Sequence, residues 1–413
     1  MLAALPHQVT KSKSIIRKLR LYGLCIFAGE VRSGKTAAFI LASQLLAEEC
    51  EVCVITKKDA IPGVKKFTPS IEVTNYHQSK KLEPKYKIVI LDECHRYITG
   101  YPKRSQIWKD VAEITLAADY IIFSSGTPTP ESYAMLFNML ALSADSPWRK
   151  YDLSKSRKTP YSLWHDVYGI KYEKSIGWDD KKDKPKFAIG WDRVKEDMIM
   201  RDIEHLIVSM TRAEAGHKFE PTDKLHKIPL TEQQEEIYTR LEDDKLYEMD
   251  EKYTVLADTP SKYIQKLHQV AGGYVNAVND YDESESKVFK VESNKVQYIK
   301  DNFDPKETII LAFYIPEQEY LASIFPNVGS ITKNSDGVDY SHFKNMVIYS
   351  MGFPASTYQQ VIGRQLNFVT RKEEVIIHFL ISGIDQYVYR AVSDKQSFTS
   401  KWYSENRVTV QGE

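Results

Sequence analysis

The chain has 413 residues, which is too long for one compact core and long enough for two domains with an insertion. Hydrophobic residues make up 42% and charged residues 27% of the sequence, and no apolar run approaches the ~20 residues that a membrane helix needs. The four cysteines do not suggest a disulfide framework and no secretory signal is visible. We therefore expect a cytoplasmic protein with no membrane partner.

Charge is distributed unevenly along the chain, although the formal net charge is zero. Lys and Arg outnumber Asp and Glu by 5 in residues 1–145 and by 4 in residues 146–230, whereas acidic residues are in excess by 9 in residues 231–413. A basic first half permits a polyanionic partner such as nucleic acid. It does not require one, because solvated faces of opposite sign would give the same counts.

Residues 1–145 alternate short apolar runs with stretches of helical periodicity. The apolar runs are LCIFA, EVCVIT, IEVTNY, YKIVILDE and YIIFSSG. Strands that alternate with helices predict a parallel sheet covered on both faces, in which the buried strands are apolar throughout. We therefore predict an α/β domain over residues 1–145.

Residues 146–225 lack this alternation and predict an insertion made mostly of loops and a few helices. The segment contains Trp148, Trp164, Trp178 and Trp191 among lysines and tyrosines. Two interpretations remain open. The tryptophans could stack on nucleic-acid bases, or they could form the core of a small helical subdomain, since nearby carboxylates dilute the positive charge.

Residues 226–413 return to strand and helix alternation. An acidic helix (EQQEEIYTRLEDDKLYEM) and a second helix (SKYIQKLHQVAGG) precede the apolar runs TIILAFY, NMVIYS and EVIIHFLI. This order predicts a second α/β domain. The chain is thus expected to hold two parallel-sheet domains in tandem, with the insertion between them.

The stretch GEVRSGKT, residues 29–36, has the spacing G-x-x-x-x-G-K-T between an apolar strand and a helix. Its glycines allow the backbone to aim amides at phosphate, Lys35 reaches the β and γ phosphates, and the Thr36 hydroxyl ligates Mg²⁺ at a helix N-terminus. The sequence therefore predicts an ATP and Mg²⁺ site. Its loop residues are Gly29, Arg32, Ser33, Gly34, Lys35 and Thr36.

A second motif, KIVILDECH at residues 87–95, ends an apolar strand in two carboxylates. Asp92 at the strand end can hold the Mg²⁺ through water, and Glu93 can accept a proton from the attacking water. The pair favours hydrolysis over transfer of a phosphoryl group to a small molecule.

These motifs resemble those of superfamily 2 helicases. GEVRSGKT, LDECH and SSGTPTPES correspond in order and approximate spacing to motifs I, II and III, and SGTPTP is nearest to the Swi/Snf-type branch. LPHQ is similar to the segment that reads adenine, and VCVITKKDAI and VTNYHQSKKL to motifs Ia and Ib. In the second half, ILAFY, SDGVDYSHFKNMVIYS and STYQQVIGRQLNF resemble motifs IV, V and VI. The short length resembles that of phage-encoded members, which would place the protein in the host cytoplasm.

The resemblance implies two RecA-like P-loop domains with ATP in the cleft between them. It implies that Gln8 contacts adenine and that Gln360 and Arg364 act at the γ-phosphate from the second domain. Roles in coupling the nucleotide to domain motion are implied for His95, Gly126 and Thr127. Contacts with nucleic acid are implied for Thr56, Lys57, Tyr76, Gly337 and Asp339.

Two departures from the family pattern concern the second domain. Motif VI usually carries a second arginine three residues after Arg364, where this chain has Asn367, which cannot neutralise transition-state charge. In addition, only a short stretch, residues 326–334, separates the helix ending near Phe325 from motif V. Family members usually carry a further strand and helix there.

Three functions follow from this reading. The first is a nucleic-acid-dependent ATPase that translocates on, unwinds or remodels DNA, with DNA preferred over RNA. The second is an ATP-dependent switch or loader for replication or recombination proteins, which would not separate strands. The third is a nucleotide-binding scaffold without hydrolysis, which the intact Lys35, Asp92 and Glu93 disfavour.

Overall fold

The structure is a computed structural model. It describes residues 4–30, 32–126, 132–179, 184–216, 221–282, 284–332, 340–354, 358, 361, 363 and 375–394. The chain divides into two compact units, Met1–Gly216 and His217–Glu413. In the part of the chain that the structure describes, no helix is both long and apolar enough to cross a membrane.

A six-stranded parallel sheet forms the centre of the first unit. Its strands are β1 (Leu24–Gly29), β2 (Val52–Thr56), β3 (Glu72–Asn75), β4 (Ile88–Asp92), β5 (Tyr120–Ser125) and β8 (Ile207–Met210). Their spatial order is β3-β2-β4-β5-β1-β8, and every neighbouring pair is parallel. Strands β2 and β4 are buried at every residue because helices cover both faces of the sheet.

Eight helices belong to the first unit. They are α1 (Pro6–Tyr22), α2 (Lys35–Gln44), α3 (Ile61–Phe67), α4 (Gln106–Thr115), α5 (Met135–Leu140), α6 (Arg149–Asp152), α7 (Pro160–Tyr168) and α8 (Glu196–Ile203), counted within the described ranges. Two apolar cores lie on opposite faces of the sheet, because alternate residues of one strand point to opposite faces. In β1, Ile26 belongs to one core, whereas Cys25 and Phe27 belong to the other.

The segment predicted as an insertion packs largely as an aromatic core. Trp148 and Trp164 are buried with their ring centroids 5.3 Å apart, and Trp164 lies 5.2 Å from Phe137. Burial favours the packing interpretation for these two tryptophans, because a base cannot stack on a ring that no solvent reaches. Trp191 is half-buried, and the Trp178 side chain lies outside the described part of the structure.

The same segment contains strands that the sequence pattern did not predict. Strands β6 (Glu173–Asp179) and β7 (Lys184–Ile189) form an antiparallel pair. Strand β8 then joins the main sheet next to β1, with Ile26 opposite Ile207 and Gly29 opposite Met210. The first unit therefore includes residues far beyond 145.

A five-stranded parallel sheet forms the centre of the second unit. Its strands are β9 (Thr222–Lys227), β14 (Thr308–Ala312), β15 (Val328–Ser330), β16 (Asn345–Ile348) and β17 (Ile376–Ile381), in the order β15-β14-β16-β17-β9. All four neighbouring pairs are parallel. The predicted α/β class with two parallel sheets is confirmed.

A smaller antiparallel sheet lies between β9 and β14 in the chain. It contains β10 (Leu246–Glu248), β11 (Tyr253–Leu256), β12 (Tyr274–Asn279) and β13 (Ser286–Lys290). The second unit's described helices are α9 (Glu232–Asp243), α10 (Pro260–Ala271), α11 (Asn294–Asn302), α12 (Ile315–Ala322) and α13 (Asp385–Ser393). The acidic helix predicted to continue to Met249 ends at Asp243, where Lys245 takes a left-handed φ of 62° and β10 begins.

Candidate functional site: a nucleotide site on the first sheet

The glycine-rich loop connects β1 to α2, as the motif predicts. Arg32 and Gly34 both have left-handed backbone, with φ of 68° and 90°, and Lys35 is the first residue of α2. Glycine adopts this conformation at no steric cost. The turn thus leaves backbone amides at the N-terminus of a helix, the arrangement that favours a bound anion.

Both motif glycines allow a close approach of another side chain. A Cβ atom on Gly29 would lie 2.4 Å from Cγ of Lys35, and one on Gly34 would lie 2.4 Å from Nε2 of Gln8. Real Cβ atoms are essentially never this close to a neighbour. The glycines therefore let the Lys35 stem fold back along the strand end and let Gln8 reach the loop.

Strand β8 and helix α1 hold the loop from two sides. The Glu30 amide donates to the Met210 carbonyl oxygen at 2.9 Å, and the Ser33 hydroxyl donates to the Glu30 carbonyl oxygen at 2.8 Å. His7 Nε2 donates to the Ser33 carbonyl oxygen at 3.1 Å. Sequence reasoning missed His7 and Met210, because neither belongs to the loop motif.

Gln8 lies in the first turn of α1 beside the loop. It is buried, and its Oε1 accepts a hydrogen bond from the Leu5 amide at 2.9 Å. Its amide nitrogen faces Gly34. This placement puts Gln8 at the loop, and its contact with adenine stays a prediction.

The Asp92 carboxylate is fixed by the neighbouring strand ends. Thr56 Oγ1 at the end of β2 donates to one carboxylate oxygen at 2.9 Å, and Ser124 Oγ in β5 donates to the other at 3.1 Å. All three strands are parallel and adjacent, so their carboxyl ends meet at one edge of the sheet. The two serines that end the apolar run YIIFSS are the sequence signal for Ser124.

Glu93 follows β4 with a left-handed φ of 49°, which is uncommon for a residue other than glycine. Its Oε1 lies 3.2 Å from Lys35 Nζ, and its Oε2 lies 3.5 Å from His95 Nδ1. Left-handed backbone costs such a residue about 1–2 kcal/mol, and strain of this kind concentrates at functional sites. The strained turn aims the carboxylate toward the loop lysine.

The two carboxylates have different proton affinities. Burial and the charge of Glu93 raise the pKa of Asp92 to about 6. Burial also raises the pKa of Glu93, but the charge of Lys35, the charge of Lys57 and the hydrogen bond from Lys35 lower that pKa to about 2. The Lys35 ammonium thus stabilises the charged form of Glu93 more strongly than that of Asp92, so Glu93 is the stronger acid of the pair.

This donor set suits Mg²⁺. The Thr36 hydroxyl lies at the start of α2, and the Asp92 carboxylate lies on the same sheet edge as the loop. Mg²⁺ prefers hard oxygen ligands and is usually bound through one or two carboxylates together with substrate phosphates. Within the described residues no group of three His, Cys, Asp or Glu side chains could hold a metal ion.

His95 lies directly behind Glu93. It is buried, its Nδ1 lies 2.8 Å from Ser125 Oγ, and burial lowers its pKa to about 4, so the ring is neutral. Its Nε2 has no hydrogen-bond partner among the described residues. Gly126 follows Ser125 at the end of β5, whereas Thr127 lies outside the described residues.

The side chains of Thr56 and Tyr76 do not fit the predicted contact with nucleic acid. Both are fully buried, and both donate hydrogen bonds to Asp92: Thr56 to its carboxylate and Tyr76 to its backbone carbonyl oxygen at 2.8 Å. Lys57 is only 5% exposed, and its charge lowers the pKa of Glu93. These residues support the acidic pair, because the ends of buried strands point their side chains into the sheet edge.

Several predicted residues fall outside the described part of the chain. They are Thr127, Gly337, Asp339, Gln360 and Arg364, together with the motif VI departure at Asn367. In the second unit the described residue Tyr358, from the same motif, donates a hydrogen bond to Asp223, which also accepts one from Tyr389 at 2.7 Å. Two tyrosines therefore meet on one carboxylate of strand β9.

Comparison with known proteins gives remote structural likeness only. No family model and no curated protein matches the chain. Among solved structures, the Sulfolobus solfataricus SWI2/SNF2 ATPase core domain is 15% identical with a TM-score of 0.41, covering 98% of this chain and 92% of that one. The same core in complex with dsDNA is 15% identical with a TM-score of 0.41, covering 95% and 91%. The type ISP restriction-modification enzyme LlaBIII bound to DNA is 11% identical with a TM-score of 0.47, covering 92% of this chain and 28% of that one.

Proposed function

We propose that the protein is a nucleic-acid-dependent ATPase that couples ATP hydrolysis to movement on DNA or to its unwinding or remodelling. The observation that carries the proposal is the pairing of Lys35 with Glu93 at 3.2 Å, beside an Asp92 carboxylate held by two hydroxyl groups. This arrangement at one sheet edge supports phosphate binding by Lys35, metal binding by Asp92 and proton acceptance by Glu93.

The chemistry follows from these positions. The loop amides and Lys35 bind the β and γ phosphates, so the phosphate oxygens compete with Glu93 for the Lys35 ammonium. Once released from that ion pair, the Glu93 carboxylate accepts a proton from water as the water oxygen attacks the γ-phosphorus. The bond from that phosphorus to its bridging oxygen breaks, giving ADP and phosphate. Thr36 and Asp92 would hold Mg²⁺, which neutralises charge on the phosphates.

Exposed basic side chains follow two strands at the edge of the sheet that holds the site. Lys58 lies just after β2, and Lys80 and Lys81 lie in the 3₁₀ turn after β3. Side chains of this type bind the phosphate backbone of nucleic acid without reading its sequence. The resemblance of SSGTPTP to the Swi/Snf-type branch favours DNA over RNA as the partner.

The test is the steady-state rate of ATP hydrolysis, measured alone and with single-stranded DNA, double-stranded DNA or RNA. We expect DNA to stimulate turnover and the half-maximal DNA concentration to rise steeply with salt, since phosphate contacts release counterions. A protein that hydrolyses ATP at one rate regardless of any nucleic acid would contradict the proposal. Stimulation by RNA alone would contradict the choice of DNA.

A further inference from the structure

Tyr76 joins a surface turn to the acidic pair. It is fully buried at the point where β3 ends and a 3₁₀ turn, Tyr76–Lys81, begins. Its hydroxyl donates to the Asp92 carbonyl oxygen at 2.8 Å. A residue that sequence resemblance assigns to nucleic acid therefore touches the catalytic segment.

The carbonyl that Tyr76 holds belongs to the peptide between Asp92 and Glu93. That peptide leads into the left-handed backbone of Glu93, so its orientation decides where the Glu93 carboxylate points. The ring of Tyr76 also stacks on Tyr97 with a centroid distance of 4.4 Å and an interplanar angle of 13°. Tyr76 thus contacts the segment on both sides of Glu93.

The turn itself is held tightly to Tyr76. The Asn75 side chain accepts hydrogen bonds from the His77 amide at 3.1 Å and the Gln78 amide at 3.2 Å. The Ser79 hydroxyl donates to the Tyr76 carbonyl oxygen at 2.8 Å. Hydrogen bonds therefore link the turn through residue 79 to the backbone of Tyr76.

The far end of the turn carries exposed positive charge. Lys80 and Lys81 are its last two residues, and both side chains are exposed. His77, also exposed, packs edge-on against Tyr97 with a centroid distance of 6.0 Å. The turn is thus basic at its surface and bonded to the Asp92 carbonyl at its base.

We propose that Tyr76 is a positioning residue through which phosphate binding at the Lys80 and Lys81 turn sets the orientation of Glu93. The inference rests on the proposed function and adds a physical route for stimulation by DNA. Tyr76 is fully buried, so its route of action is indirect. It acts through the Asp92–Glu93 peptide.

Tyr76→Phe removes the hydroxyl and keeps the ring. We expect the DNA-stimulated kcat to fall about fivefold, the loss that one neutral hydrogen bond expressed in the transition state would give. The ratio of kcat with DNA to kcat without DNA should fall, whereas KM for ATP and the affinity for DNA should change less than about twofold. If Tyr76 had only a structural role, Tyr76→Phe would alter the thermal midpoint but would not lower the ratio of kcat with DNA to kcat without DNA.

Tyr86→Phe is the matched control, because Tyr86 is another buried tyrosine of the first unit and lies before β4. It should keep the full stimulation by DNA. A folded Tyr76→Phe protein with wild-type stimulation would overturn the inference while leaving the proposed function standing. Wild-type turnover that does not respond to DNA would instead overturn the proposed function.

A second variant tests the same route from the surface side if Tyr76→Phe does not fold. Asn75→Ala removes the acceptor that orders the turn and keeps the Tyr76 hydroxyl. It should lower the fold stimulation by DNA with KM for ATP unchanged. Full stimulation in Asn75→Ala would contradict the inference.

Discussion

At the scale of single residues, the site depends on how closely Lys35 approaches Gly29. The aliphatic stem of Lys35 occupies the space that a Cβ on Gly29 would need, at 2.4 Å. The ammonium at the end of that stem reaches Glu93 at 3.2 Å. A side chain at position 29 would therefore displace Lys35, the residue that we propose binds phosphate.

Gly29→Ala should weaken ATP binding by at least about tenfold, since one charged hydrogen bond to phosphate is worth about 1.5–3 kcal/mol. Titration with a fluorescent ATP analogue measures the effect. Gly63→Ala in helix α3 is the control, because a Cβ there meets no atom within 4 Å. Equal affinity for the ATP analogue in Gly29→Ala and wild type would show that Lys35 does not need the space beside Gly29 to bind ATP.

The residues of the site were predictable to different degrees. Lys35 and Thr36 follow from eight consecutive positions, and Asp92 and Glu93 follow from an apolar strand that ends in two acids. Their supporting partners are distant in sequence: Ser124 lies in another strand, and its contact exists only because parallel strands bring their carboxyl ends together. A single sequence does not contain that adjacency, so the supporting residues were missed.

At the scale of elements, helix α12 buries a carboxylate in the second unit. Glu317 is 1% exposed, and its Oε2 accepts hydrogen bonds from the Tyr314 amide at 3.2 Å and from the Ser350 hydroxyl. Nearby, Lys295 donates to Asp385 at 2.7 Å, so its charge is already paired. Burial raises the pKa of Glu317 from 4.5 to about 8.

This shift makes stability depend on pH. The folded chain binds the Glu317 proton more tightly than the unfolded chain does. The contribution of this proton to the free energy of unfolding is therefore complete below pH 4.5 and is lost as the pH rises to about 8. Glu317→Gln imitates the protonated form and avoids the loss. The thermal midpoint of Glu317→Gln minus that of wild type should therefore be at least about 2 °C larger at pH 8.5 than at pH 5.

Circular dichroism melts of both proteins at the two pH values give this comparison. Glu319→Gln is the matched control, since Glu319 lies on the same helix and is exposed. Its effect on the midpoint should not depend on pH. A Glu317→Gln effect of the same size at both pH values would show that the carboxyl group is not protonated in the folded chain.

The elements themselves were predictable where the pattern was long or wholly buried. Strands β1, β2, β4 and β5 are continuous apolar runs, and the structure has strands at each of them. Strand β8 was missed because four residues, two of them half-buried or exposed, do not give a period. The antiparallel sheet β10–β13 was missed for a related reason, since strands β10 and β13 are half-buried or exposed at every residue and show no apolar run. In addition, β10 follows α9 with no change in amino-acid composition between them.

At the scale of the whole molecule, each unit has its own parallel sheet and its own buried cores. The tandem α/β arrangement was predictable because the alternation of apolar runs and helices occurs twice along the chain. The extent of the first unit was not predictable, because it depends on the pairing of β8 with β1 across about 180 residues of chain. Long-range pairing of this kind leaves no local mark.

The central claim is that the Lys35, Asp92 and Glu93 site hydrolyses ATP with Glu93 as the proton acceptor. Glu93→Gln tests it most directly, because the amide keeps the size of the side chain and cannot accept the proton. The measurement is ATP turnover with saturating DNA, together with ATP binding on the same samples. We predict that Glu93→Gln binds ATP but turns it over about 10²–10⁴-fold more slowly than wild type. Turnover at the wild-type rate would contradict the account.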